Sequence, residues 1–197
     1  MPVAKQQGKS PLCLKLESLM KKLLVASAVA ATLLSSQSMA DVRWNYLGAG
    51  YTDAAGDGPY IEGSVLISPN VVLQADYSRQ SVGRANINVV DVGVAYLTGF
   101  KLDFAPRSQT YVLAGLDALS GDADRSGVYL GVGAKHPLTP EVELFSEASY
   151  HTIGDNYGSL AGGIAFYFSP DWAVRSSMAL NSGNTKNAFR LGVSYQF

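Results

Sequence analysis

Residues 189–197 read Phe189-Arg190-Leu191-Gly192-Val193-Ser194-Tyr195-Gln196-Phe197. Phe189, Leu191, Val193, Tyr195 and Phe197 alternate with Arg190, Gly192, Ser194 and Gln196. Successive side chains of an extended chain point to opposite faces, so this is a strand with one apolar and one small or polar face. The pattern recurs upstream. Leu160, Gly162, Ile164, Phe166 and Phe168 alternate with Ala161, Gly163, Ala165 and Tyr167. Val142, Leu144, Ala148 and Tyr150 lie opposite Glu143, Phe145, Glu147, Ser149 and His151. Residues 41–197 hold no sustained 3.6-residue apolar period.

Breakers divide this stretch into ten candidate strands, at 43–52, 59–68, 71–79, 86–97, 109–119, 126–136, 141–151, 158–168, 172–181 and 188–197. Two kinds of connection alternate between them. One set is rich in Gly, Asp, Asn and Ser (53–58, 80–85, 120–125, 152–157, 182–187). The other contains proline, as in the near copies Ser68-Pro69-Asn70 and Ser169-Pro170-Asp171. Such alternation predicts consecutive up-down hairpins with one set of turns at each end.

The charges decide which face is inside. The apolar rows carry almost none. The opposite rows carry Glu62, Asp76, Asp91, Asp117, Lys135, Glu143, Glu147, Arg175 and Arg190, interleaved with Gly115, Gly131, Gly133 and Gly163. A soluble core would bury those charges unpaired at high cost. A membrane barrel turns its apolar rows to lipid and keeps small and polar residues within. Aromatics fall at the ends of the apolar rows. Tyr51, Tyr77, Tyr150 and Phe189 lie near the Gly/Asp loops, and Tyr96, Phe168, Trp172, Tyr195 and Phe197 near the proline turns. Two aromatic belts bounding an aliphatic band are what the two interfaces of a bilayer select. The expected fold is therefore all-β: a closed, antiparallel, up-and-down transmembrane β-barrel of about ten strands, with eight still open.

The N-terminal residues stand apart. Met20-Lys21-Lys22 precede an apolar run from Leu23 to Leu34, and Ser38-Met39-Ala40 follow. A positive start, a short apolar run and small residues before a break predict a secretory signal over 20–40, cleaved after Ala40. The run is too short to span as a helix, which needs about 20 residues. Residues 1–19 then form an extension, with Met20 the expected initiator, and the barrel occupies 41–197. Removing residues 1–40 takes away five lysines and Glu17 and changes the net charge from -1 to -5.

Composition narrows the functional classes. The chain has 197 residues, 47% of them hydrophobic and 16% charged, with 20 glycines, which excludes a disordered, collagenous or coiled-coil chain. Near-neutral charge without a basic stripe argues against a nucleic-acid partner. The single cysteine, Cys13, excludes a disulfide framework. Two histidines and scattered acids make no metal site, and no cofactor is implied.

The closing strand, ending in Ser194-Tyr195-Gln196-Phe197, resembles the C-terminal signature of bacterial outer-membrane β-barrels. The opening Trp44-Asn45-Tyr46-Leu47-Gly48-Ala49-Gly50-Tyr51 resembles the first strand of many such proteins. As a pattern, 41–197 is similar to the small barrels of the OmpA/OmpX/Ail type. The resemblance implies an outer-membrane location with both ends in the periplasm. It implies contact with outer-membrane lipid and lipopolysaccharide, and recognition of Tyr195 and Phe197 by the barrel assembly machinery. Those families have eight strands, where ten are counted here.

Three functions are open to such a barrel. In the first, the acids on strands two to five face Arg175 and Arg190 across a plugged lumen, and the protein serves a structural or interaction role in the envelope. In the second, the excess of inward acids lines a narrow, cation-preferring pore. The third is a lipid A-modifying hydrolase, for which Glu147, Ser149 and His151 share a face. Positions i and i+2 of a strand lie about 6.5–7 Å apart, so a direct Ser149–His151 hydrogen bond is expected to be strained without a bulge. The order is also the reverse of the His-x-Ser found in deacylases of the PagL kind, and no catalytic site is assigned. Short loops carrying Asp53, Asp57, Arg84, Asp122, Asp124, Arg125, Asp155 and Lys186 offer a surface to a partner the sequence does not identify.

Overall fold

A computed structural model describes residues 42–54, 56–83, 85–121, 124–183 and 185–197, without the side chains of Val82 and Ala85. The predicted signal and extension, Cys13, Arg84 and Asp122 lie outside the described residues. Ten antiparallel strands follow one another: β1 (Tyr46–Asp53), β2 (Asp57–Ser68), β3 (Val71–Val82), β4 (Ala85–Leu97), β5 (Gln109–Ser120), β6 (Arg125–Thr139), β7 (Val142–His151), β8 (Tyr157–Tyr167), β9 (Trp172–Asn181) and β10 (Ala188–Gln196). Each pairs with its sequence neighbour, and β10 pairs with β1, so the sheet closes into a barrel of ten strands. Closure leaves no free edge, and the ladder satisfies the backbone groups where lipid offers no partner.

The alternation sorts side chains as the period of two demands. Leu47, Ile61, Val92, Leu116, Leu130, Val132, Leu160, Leu191 and Val193 are exposed on the outer wall. Their inward neighbours Gly48, Gly93, Tyr129, Arg175, Gly192 and Ser194 are buried. Tyr96, Phe166, Phe168, Trp172 and Tyr195 lie outward at the end where Asn45 and Phe197 meet, here the terminal end, and Trp172 packs against Tyr195 with ring centroids 5.2 Å apart. Phe100 and Phe104, in the connection from β4 to β5, extend this belt. Tyr51, Tyr77, Tyr150 and Phe189 lie outward at the opposite end, here the loop end.

Glycine and aromatic residues fit together on the inner wall. The Tyr129 side chain lies over Gly115 and Gly93, Tyr111 over Gly133, Phe145 over Gly163, and Tyr60 over Gly50 and Gly192. A Cβ at any of these glycines would overlap the ring laid upon it. Each ring crosses one or two strands and takes the room the missing side chains leave.

The first strand departs from the expected 43–52. Val42, Arg43, Trp44 and Asn45 are all buried and precede the ladder. Four consecutive buried residues cannot belong to a wall with a lipid face. They turn into the lumen at the terminal end, where Trp44 is only 1% exposed.

Candidate functional site: the barrel lumen

The lumen has two parts. At the terminal end, Val42–Asn45 are tied to the wall from several directions. The Arg43 amide donates to Glu143 Oε2 (3.1 Å), and Lys135 Nζ donates to the Arg43 carbonyl (3.0 Å). Lys135 and Glu143 themselves stand 3.6 Å apart, both buried. The Arg43 guanidinium donates to the Pro170 carbonyl (2.8 Å) and lies 3.9 Å from the Tyr167 ring centroid. Trp44 Nε1 donates to Gln109 Oε1 (2.6 Å), its ring meets Tyr111 edge-on at 5.3 Å, and Lys135 Nζ sits 4.2 Å from its ring centroid. Asn45 bridges two strands: its side-chain oxygen accepts from the Leu66 amide (2.7 Å) and its carbonyl from that of Phe197 (3.2 Å). The two buried charges are therefore paired, and both are hydrogen-bonded to the same inserted peptide.

Above this plug lies a cavity of about 240 Å³, lined among others by Glu62, Asp76, Asp91, Glu147, Arg175 and Arg190. Glu62, Asp76, Asp91 and Asp117 occupy directly paired positions on β2, β3, β4 and β5. Cations from the other side of the seam reach two of them. Arg190 holds Asp76 through two hydrogen bonds of 2.8 and 3.0 Å, and Arg175 Nε lies 3.2 Å from Glu62 Oε1. Bidentate pairing suits a guanidinium, whose donors form a planar fork. Arg175 also lies 4.2 Å from the Tyr46 ring centroid. Glu147 accepts from the Tyr111 hydroxyl (3.0 Å). Asp91 has neither an ion pair nor a side-chain hydrogen bond among the described residues.

The loop end of the lumen joins Ser149 and His151, which the sequence places on one face, to an acid it does not assign to them. Ser149 Oγ and His151 Nε2 are 3.0 Å apart, and His151 Nδ1 is 2.8 Å from Asp117 Oδ2. The bond forms without a bulge there, since β7 runs in register with β8 throughout. The imidazole is long enough to lie back along the strand from position 151 towards position 149. Its ring is held in that pose by its paired neighbours: Tyr129 stacks on one side (5.2 Å, 21°) and Tyr157 on the other (4.7 Å, 2°). The acid in contact with the histidine is Asp117, from β5, not Glu147 of the same strand. Asp117 reaches across β6 at Gly127, where a Cβ would stand 2.8 Å from Asp117 Oδ1 and 2.5 Å from the Ile153 amide. The other histidine, His136, bonds Ser108 Oγ (2.9 Å) at the terminal end and takes no part. Tyr195 lies on the lipid face of β10, and Phe197 follows that strand.

No known protein family matches the chain by sequence. No curated protein matches it either. Solved structures do. A KdgM porin has a TM-score of 0.50 at 13% identity, over 77% of this chain and 99% of the porin. A KdgM porin in complex with disordered oligogalacturonate has a TM-score of 0.49 at 14% identity, over 77% and 99%. The N-terminal β-barrel domain of Pseudomonas aeruginosa OprF has a TM-score of 0.40 at 14% identity, over 79% and 100%. The likeness to the first is one of fold: a closed, porin-like transmembrane β-barrel.

Proposed function

We propose that the chain is an integral protein of the bacterial outer membrane, with both termini facing the periplasm. Its lumen is shut by its own N-terminal segment, and its work in the envelope is structural or interactional. The buried insertion of Val42–Asn45, pinned by Lys135, Glu143 and Gln109, carries this reading. The apolar wall between two aromatic belts supports a place in the bilayer, in contact with outer-membrane lipid and lipopolysaccharide. Tyr195 and Phe197 serve as the signal read by the barrel assembly machinery. The loops at the opposite end are the part available to a surface partner, and nucleic acid is not one.

A narrow, cation-preferring pore is the second reading. It is favoured by the cavity lined by Glu62, Asp76, Asp91 and Glu147. Conductance in a planar bilayer separates the two. The intact barrel should give no steady current steps, and replacing both Arg43 and Trp44 by glycine should produce them. Steady cation-selective steps from the unaltered protein would overturn the closed reading and establish the pore. A band in the outer-membrane fraction that migrates faster unboiled than boiled should accompany either result. Recovery from the soluble periplasm without that shift would overturn the membrane location.

A further inference from the structure

We propose that Ser149, His151 and Asp117 form a nucleophile–base–acid triad that transfers the acyl group of short-chain carboxylic esters entering the lumen from its loop end. This goes beyond the envelope role and does not depend on whether the lumen conducts.

The hydrogen-bond polarity follows from the partners. Asp117 is buried, and its carboxylate can only accept, so His151 donates to it through Nδ1–H. That leaves Nε2 as the acceptor, and Ser149 Oγ–H donates to it. A hydroxyl thus faces a base whose tautomer is set by an acid, the relation that activates a serine. A bond that served only to satisfy the serine would not need a carboxylate brought over a glycine from two strands away. Nor would it need two phenol rings to fix the imidazole.

Ser149 is itself partly exposed, and the cavity beside it is lined by Glu147 and His151, the inward residues on either side of Ser149, and by Ala161 of β8. The residue paired with Ser149 on β8 is Ser159, so neither Ser159 nor Ala161 is large enough to cover it. A cavity of about 240 Å³ has room for a short acyl ester.

In the reaction, Ser149 Oγ attacks the ester carbonyl carbon and its proton passes to His151 Nε2. The bond from that carbon to the alcohol oxygen then breaks, and the alcohol leaves with the proton from Nε2. The acyl group remains on Ser149. Water gives a proton to Nε2 and attacks the acyl carbon, and the free acid departs as Ser149 regains its proton. The N–H groups of β7 are engaged in the ladder, so the backbone cradle that stabilises the oxyanion in fast hydrolases is missing here. Each lost oxyanion donor costs about 10²–10³ in rate. Turnover is therefore slow, and covalent capture is the suitable readout.

The experiment uses the full barrel folded in detergent, treated with a fluorophosphonate probe and mapped by tandem mass spectrometry. Modification of Ser149 is expected in the folded protein and not in the boiled one. Asp117→Asn, checked for folding by its unboiled gel mobility, should label at least about a hundredfold more slowly, because the amide favours the wrong tautomer. p-Nitrophenyl acetate should give a burst of nitrophenol that Ser149→Ala abolishes. If either variant fails to fold, the comparison of folded with boiled unaltered protein still decides. No modification of Ser149 in the folded barrel, or unchanged labelling of folded Asp117→Asn, would overturn the proposal.

Discussion

At the scale of single residues, the inner wall is organised by what glycine omits. Gly192 shows it best, because a Cβ there would stand 2.5 Å from the Ala49 carbonyl oxygen and 2.5 Å from the Tyr60 hydroxyl. The carbonyl belongs to a paired strand and cannot move away alone. Gly63 faces the other way, and the nearest atom to its Cβ is a Leu47 methyl at 3.7 Å. Gly192→Ala should therefore lower stability by about 1–3 kcal/mol, the usual penalty of overpacking. Gly63→Ala should stay within about 0.5 kcal/mol, as for an uncrowded wall position. Urea unfolding in micelles, followed by tryptophan fluorescence, compares the two. Equal effects would show that the ring-over-glycine packing has no energetic weight. The inward position of Asp117 can be read from alternation alone. Its reach to His151 cannot, because that depends on the stagger between β5 and β7 and on the opening at Gly127. The same holds for Ser149. The sequence places it two residues from His151, but the histidine's pose comes from Tyr129 and Tyr157 on neighbouring strands.

At the scale of elements, each strand has a lipid face and a lumen face, and substitutions should divide by face. Val132 sits midway along β6 on the outer wall, opposite Val112 and Ala148. Val132→Arg should destabilise the barrel by about 2–4 kcal/mol in a bilayer, the range for a cation at mid-depth on a barrel's lipid face. Its effect in detergent should be smaller, since micelles deform around a charge. Reversible unfolding from vesicles and from micelles measures both, and an equal, small effect would place this face away from lipid. Strand number and order were legible because every strand repeats the same two-residue signal between clear breakers. The sequence pattern starts the first strand three residues too early. Arg43, Trp44 and Asn45 continue the mixture of polar and aromatic residues seen in β1. Only the burial of all four residues from Val42 to Asn45 distinguishes an inserted segment from a wall.

At the scale of the whole molecule, Arg190 and Asp76 join β10 to β3 across the seam, 114 residues apart in sequence. Asp76 also lies beside Asp91 and Glu62 in the acidic row, so removing the arginine leaves neighbouring carboxylates facing one another. Arg190→Met should cost about 1–3 kcal/mol, less than stripping one partner from a fully buried pair, because both side chains keep some contact with water. Adding Asp76→Asn should return part of that loss, since it removes the stranded charge. A double-mutant cycle read by urea titration gives the coupling directly. Additive losses would mean that the two groups act independently.

The joint between β1 and β10 runs in unbroken register from Tyr46 opposite Gln196 to Asp53 opposite Phe189. Its two rails are the first and last strands of the barrel, so forming it closes a loop that contains the eight strands between them. This ladder has the highest contact order in the molecule, and its loop-closure entropy falls due in one step. Until then the growing sheet carries two bare edges and an open polar face. Closure of this joint is thus the entropically costliest pairing in the barrel, and the cylinder that receives the plug is complete only when it has formed.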